Sequence, residues 1–230
     1  MILDPNQIAK MIDLSCVRTW STRSDIDEMV NAARAYGFGQ VSVLQCYIPY
    51  IRQLLGVDSG INIVGNVSFP SGSDTTSVKV YQAEEMVRAG CNEIDMVMNI
   101  GRLKSGELAE VEADVKAVAA VVHPLPLKVI IEIMFLTLTE TENACQICIN
   151  SGADFVKTGT GWANRGTTLE DIRLVKSIVG ENIRIKASGG IRNLAALMEM
   201  YQAGARRFGV NLKSGIEIVH EAIAVNGIDV

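Results

Sequence analysis

The chain has only two histidines in 230 residues, His123 and His220, and they stand apart from each other and from the cysteines. A metal site needs clustered ligands at fixed spacing, so no metal is expected. His123 precedes Pro124 in a loop and His220 falls in the last helical pattern, so both are expected at the surface. Cysteines are few and odd in number: Cys16, Cys46, Cys91, Cys145 and Cys148. Cys145-Gln-Ile-Cys148 has a redox or zinc spacing, but it lies within a helical pattern without a second pair. Reduced thiols in a cytoplasmic protein are the expectation.

Long apolar runs are also missing, as is the basic-then-apolar start of a secretory signal. With a formal charge of −5, the chain lacks the basic face that nucleic acid or an anionic membrane would require. No Pro/Ser-rich linker, charge block or low-complexity tract divides it, and its length suits one domain, 1–230. What remains is a mildly acidic chain, 48% hydrophobic, with 20 glycines.

Short β-branched runs alternate with longer amphipathic stretches. The runs predict strands at 10–14, 40–44, 61–69, 93–98, 128–134, 154–158, 184–187 and 207–210. Apolar residues at three- and four-residue spacing predict helices at 25–35, 75–89, 108–122, 140–151, 169–179, 194–203 and 214–224. Ser24 and Thr168 are candidate helix caps. Eight strand–helix units of roughly 29 residues each predict a (β/α)8 TIM barrel, an α/β fold of ~250 residues. An open doubly wound sheet is the rival, but it leaves edge strands to protect.

Two lysines close strands at matching points of successive units. They are Lys157 in Asp154-Phe-Val-Lys-Thr-Gly-Thr-Gly161 and Lys186 in Ile183-Arg-Ile-Lys-Ala-Ser-Gly-Gly190. A charge ending a buried strand is costly unless it is paired or used. In a barrel, such residues meet at the C-terminal ends of the strands. Asp13, Asp95, Lys128 and Glu132 are the other charges expected there, with Lys128 and Glu132 on one face of strand 5. A neutral amine is what Schiff-base chemistry requires, and a neighbouring ammonium lowers a lysine's pKa. A carboxylate beside the pair can keep the second lysine charged and relay protons. Glycines after the last three strands (Gly159, Gly161, Gly189, Gly190, Gly215) suit an anion-binding rim, best at Ser188-Gly189-Gly190.

Several blocks resemble the deoxyribose-phosphate aldolase family: Phe69-Pro-Ser-Gly72, Glu93-Ile-Asp-Met-Val-Met-Asn-Ile-Gly101, Leu127-Lys-Val-Ile-Ile-Glu132, Gly152-Ala-Asp-Phe-Val-Lys-Thr158 and Ile185-Lys-Ala-Ser-Gly-Gly-Ile191. The resemblance implies a class I aldolase in which Lys157 forms the Schiff base, Lys186 perturbs it and Asp95 shuttles protons. It implies reversible cleavage of 2-deoxy-D-ribose 5-phosphate to D-glyceraldehyde 3-phosphate and acetaldehyde, without metal or organic cofactor. Asp13, Lys128, Thr158, Gly159, Gly161, Ser188, Gly189, Gly190, Gly209 and Asn211 are the expected substrate contacts.

Departures from the family pattern gather at one rim. The lysine loop reads Lys157-Thr-Gly-Thr-Gly-Trp162, and the strand-8 loop Gly209-Val-Asn-Leu-Lys-Ser-Gly215 lacks the family's Ser pair. Arg165 or Lys213 is then a candidate to grip phosphate. A Schiff-base aldolase acting on a different or non-phosphorylated substrate is the runner-up. A phosphosugar isomerase would use a carboxylate or Cys pair, and a non-catalytic descendant would have lost the lysines. A homo-oligomer, dimer or larger, is expected, with Tyr47, Tyr50 and Ile51 as exposed candidates.

Overall fold

A computed structural model describes residues 4–226. Its elements run α1 (Pro5–Lys10), β1 (Ile12–Cys16), α2 (Arg23–Tyr36), β2 (Gln40–Val43), α3 (Ile48–Leu55), β3 (Asn62–Val67), α4 (Thr76–Arg88), β4 (Glu93–Val97), α5 (Ile100–Lys104) and α6 (Leu108–Val122). They continue through β5 (Leu127–Ile130), α7 (Leu138–Asn150), β6 (Phe155–Lys157), α8 (Leu169–Val179), β7 (Arg184–Ser188), α9 (Leu194–Gln202), β8 (Ala205–Asn211) and α10 (Leu212–Asn226). Each strand pairs in parallel with its sequence neighbours, and β8 returns to β1, so the sheet closes. This is the (β/α)8 TIM barrel that the unit repeat predicts.

Local chemistry sets the ends of the elements. Thr168 caps α8 as expected, accepting from Asp171 N while Asp171 accepts from Thr168 N. Thr22, not Ser24, caps α2, in the same reciprocal arrangement with Asp25. The strand expected at 10–14 begins later, at Ile12, because Asp4 and Gln7 form a capping box, with Pro5 at the first helical position, that starts a helix upstream. The run at 128–134 leaves the sheet after Ile130: Glu132 adopts a left-handed backbone (φ 45°) and a 3-10 turn follows over Ile133–Phe135. Glu132 therefore does not share a strand face with Lys128. Ile51, expected at the surface, is buried on α3, while Tyr47 and Tyr50 are half-buried.

Alternation along the strands separates two environments. Ile12, Leu14, Val41, Ile63, Ile94, Met96, Val129, Val156, Ile185 and Phe208 join the helices in one apolar shell around the barrel. The intervening strand positions carry Asp13, Gln40, Ser42, Asn66, Glu93, Asp95, Lys128, Lys157 and Lys186, all buried. Barrel interiors ordinarily fill with Val, Ile and Leu. Charges taken out of water there cost several kcal/mol each before pairing. Cohesion comes from the outer shell, and the interior is arranged for something else.

Candidate active site

Lys157 and Lys186 are register partners on β6 and β7, and Asp95 and Lys128 are partners on β4 and β5. Asp95 Oδ2 accepts from Lys157 Nζ at 2.7 Å and from Lys186 Nζ at 2.8 Å; its Oδ1 accepts from Lys128 Nζ at 3.1 Å. Lys186 also donates to Asp13, whose other oxygen takes Arg207 Nε at 3.0 Å and Nη2 at 2.8 Å. Arg207 reaches Glu93 at 3.2 Å, and Glu93 pairs with Lys128. The chain of contacts closes into a ring of alternating sign: Asp95, Lys128, Glu93, Arg207, Asp13, Lys186 and back to Asp95. That ring is neutral by itself. Among the described residues Lys157 is the cation left over, paired only with the already shared Asp95.

The titration behaviour follows from this count. Burial, aided by the charge of Lys186, lowers Lys157 to about 8 against the opposing pull of Asp95. Burial also works against the charge of Lys186, but Asp13 and Asp95 outweigh it and raise its pKa. Asp95 is driven well below the usual carboxylate range by Lys128, Lys157 and Lys186, although burial pushes the other way. Arg207 rises despite its burial, through Asp13 and Glu93. One lysine is thus readily neutral while its neighbour stays charged.

Loops hold the lysines in place. Lys157 O accepts from Ile131 N at 3.0 Å, and Lys186 O from Thr158 N at 3.1 Å. Glu132 turns its carboxylate onto Thr160 N, at 3.1 and 3.3 Å. The loops after β6 and β7 pack backbone to backbone: a Cβ on Gly166 would lie 2.8 Å from Gly190 Cα. On β8, a Cβ on Gly209 would lie 2.6 Å from Ser188 Oγ, so a side chain there would force the Ser188 hydroxyl to turn away.

Two cavities meet at this end of the barrel. The inner one, about 20 Å³, is lined by Asp13, Asp95, Lys157 and Lys186 with Ser42, Asn66 and Phe69. The outer one, about 510 Å³, spreads over Gly161, Ser188, Gly189, Gly190, Gly209 and Asn211. Ser15, Val17, Thr160, Ser188 and Gly209 border both. Three expected substrate contacts line neither. Lys128 is fully buried between Glu93 and Asp95; Thr158 bonds Thr167 Oγ1 at 2.7 Å and accepts from Ser188 N; Gly159 abuts Glu132 and Met134. Arg165 is engaged in two hydrogen bonds to Asp171, at 2.6 and 3.1 Å. Lys213 and Arg192 line the outer cavity with no carboxylate partner among the described residues. Glu93 and Arg207, which complete the ring, were not singled out from the sequence; Glu93 lies two residues before Asp95, on the same strand face. Among the described residues no group of three or more His, Cys, Asp or Glu could hold a metal ion. Nor is any described helix long and apolar enough to cross a membrane.

A family model for the DeoC/LacD family aldolase matches residues 8–215. The chain belongs to the DeoC/LacD aldolase family. A deoxyribose-phosphate aldolase of Sinorhizobium medicae is 40% identical over 225 residues, covering 98% of this chain and 91% of that one. The solved aldolase QR15 superposes with a TM-score of 0.89 at 36% identity, covering 95% of this chain and 97% of that one. The deoxyribose phosphate aldolase of Aeropyrum pernix, described as tetrameric, shares the fold with a TM-score of 0.88 at 24% identity, over 96% of this chain and 93% of that one. As a DeoC/LacD aldolase, the protein is a carbon–carbon lyase, and the paired lysines of its barrel suit the class I route.

Proposed function

We propose that Lys157 is the Schiff-base nucleophile and that the substrate is 2-deoxy-D-ribose 5-phosphate, cleaved reversibly to D-glyceraldehyde 3-phosphate and acetaldehyde. The observation that carries this reading is the charge count: a neutral ring of six groups with Lys157 in excess. The neutral amine adds to C1 of the open-chain sugar, and the carbinolamine loses water to give an iminium ion. Removal of the C3 hydroxyl proton then breaks C2–C3. Glyceraldehyde 3-phosphate leaves, and the bonding pair passes into the iminium to give an enamine. Protonation at C2 and addition of water release acetaldehyde and restore Lys157. Asp95, in contact with both lysines, is the proton relay, and Lys186 stays charged, adding to burial in lowering the Lys157 pKa so that the neutral amine is within reach.

Phosphate is assigned to the outer cavity, where Arg192, Lys213 and the backbone of Gly189 and Gly190 line the wall. A non-phosphorylated substrate is favoured by one observation: in the altered strand-8 loop the Ser214 N–H, a donor a phosphate would use, is already given to Asn211 Oδ1 at 2.9 Å. Comparing kcat/KM for 2-deoxyribose 5-phosphate and 2-deoxyribose decides between them. A strong preference for the phosphate is expected; equal turnover would transfer the assignment to the non-phosphorylated class. In the same reading, residues 1–230 act as one cytoplasmic barrel domain in a homo-oligomer. The exposed Val78 and Tyr81, three residues apart on α4, offer an apolar contact.

A further inference from the structure

We propose that Trp162, braced by Arg18, restricts the carbonyl compound activated on Lys157 to two carbons. The inference rests on Lys157 being the imine-forming amine. The inner cavity offers about 20 Å³, little more than one water molecule occupies. Phe69 is the aromatic side chain in its wall. On the side of that wall, a third carbon on the donor must displace Phe69.

Phe69 is held from two sides. Its backbone follows Ser68, a non-glycine residue at φ 55°, which donates its N–H to Gln82 Oε1 at 2.7 Å and accepts at its hydroxyl from Asp74 N at 3.3 Å. Such backbone persists only where its surroundings fix it. Its ring meets Trp162 edge to face, with centroids 6.2 Å apart and planes at 85°. Trp162 is anchored in turn. The Arg18 guanidinium lies over the indole, 5.3 Å from its centroid, and donates to Gly161 O at 2.8 Å. Trp162 N donates to Thr160 Oγ1 at 3.0 Å, and Thr160 N is fixed by Glu132. Loops after β1, β3 and β6 thus join into one brace beside the reacting amine. Trp162 lines neither cavity, so it is a positioning residue that acts through Phe69.

The test is a competition between donors, with D-glyceraldehyde 3-phosphate as the common acceptor. Turnover with propanal is divided by turnover with acetaldehyde for wild type, W162A, W162F and R18M. One methylene in a closed pocket discriminates about ten- to 200-fold, so W162A is expected to raise the ratio at least about tenfold. W162F keeps an aromatic edge and is expected to hold the ratio near wild type. R18M removes only the cation and is expected to raise it about two- to fivefold. A purely structural defect lowers both donors together and leaves the ratio unchanged. An unchanged ratio in both W162A and R18M overturns the proposal; should W162A fail to fold, R18M alone decides. Borohydride trapping of acetaldehyde on wild type, run in parallel, separates the two levels. Without an adduct on Lys157, the imine assignment falls and takes the proposal with it.

Discussion

Lys157 shares Asp95, its one carboxylate partner among the described residues, with two other lysines, and its reactivity follows from that shortage. The neutral amine is the reactive form, so kcat/KM is expected to rise with pH through about 8. Two substitutions should move this limb in opposite directions. Lys186→Leu removes a like charge and frees Asp95 to hold Lys157 charged, so the limb moves to higher pH. Asp95→Asn removes the group that favours the charged amine, so the limb moves to lower pH, while loss of the relay lowers kcat about 10²- to 10⁴-fold. A pH–rate series on both variants checks the signs, and shifts in the same direction would contradict the account. The sequence made Lys157, Lys186, Asp95, Asp13 and Lys128 visible because charges interrupting β-branched runs demand a reason. Glu93 and Arg207 were not visible. Each stands near the start of its strand, where a charge reads as loop punctuation, and the partners Arg207 and Asp13 are 194 residues apart.

Helices were legible where apolar spacing is sustained over three or more turns: the ranges expected for α6 and α8 are those observed, α8 with its Thr168 cap and α6 without a side-chain cap. Three short helices, α1, α3 and α5, escaped because five to eight residues give too little periodicity, although Asp4-Pro5 carries a start signal. The end of β5 was misplaced because Glu132 leaves the sheet to reach Thr160 N, a contact 28 residues away that no local pattern encodes. At this scale the structure also holds a charge pair outside the site. Lys79 of α4 is fully buried, donating to Asp114 of α6 and to Val97 O at the end of β4, at 3.2 Å. It ties two helices to the strand that carries Asp95. Lys79→Met leaves Asp114 buried without its counter-ion and is expected to cost about 3–5 kcal/mol. For a chain of this size that lowers Tm by about 6–20 °C. Adding Asp114→Leu should recover most of the loss; thermal unfolding of a double variant no more stable than the single one would contradict this pairing.

The whole molecule divides its tasks by radius: an apolar shell between strands and helices gives cohesion, and a charged interior gives chemistry. The second works against the first. A lysine whose folded pKa lies below its unfolded value opposes folding in full below the folded value, and that penalty fades as the pH rises from the folded towards the unfolded value. Lys157→Met is therefore expected to abolish turnover yet raise Tm near pH 7, with the advantage over wild type narrowing from pH about 8 upward. Calorimetry across that range checks both the sign and the window; a variant less stable than wild type at pH 7 would contradict it. Asp13 and Asp95, with lowered pKa values, act in the opposite sense. Their support is present above the ordinary carboxylate range and is lost as the pH falls through their folded values. The central claim, that the one surplus lysine in a barrel of paired charges is the reactive amine, has its most direct test in borohydride trapping with 2-deoxyribose 5-phosphate, read by peptide mass. The account predicts a single reduced adduct on Lys157, none on Lys186 or Lys128, and none anywhere in Lys157→Met. An adduct on Lys186, or no adduct while turnover proceeds, would contradict it.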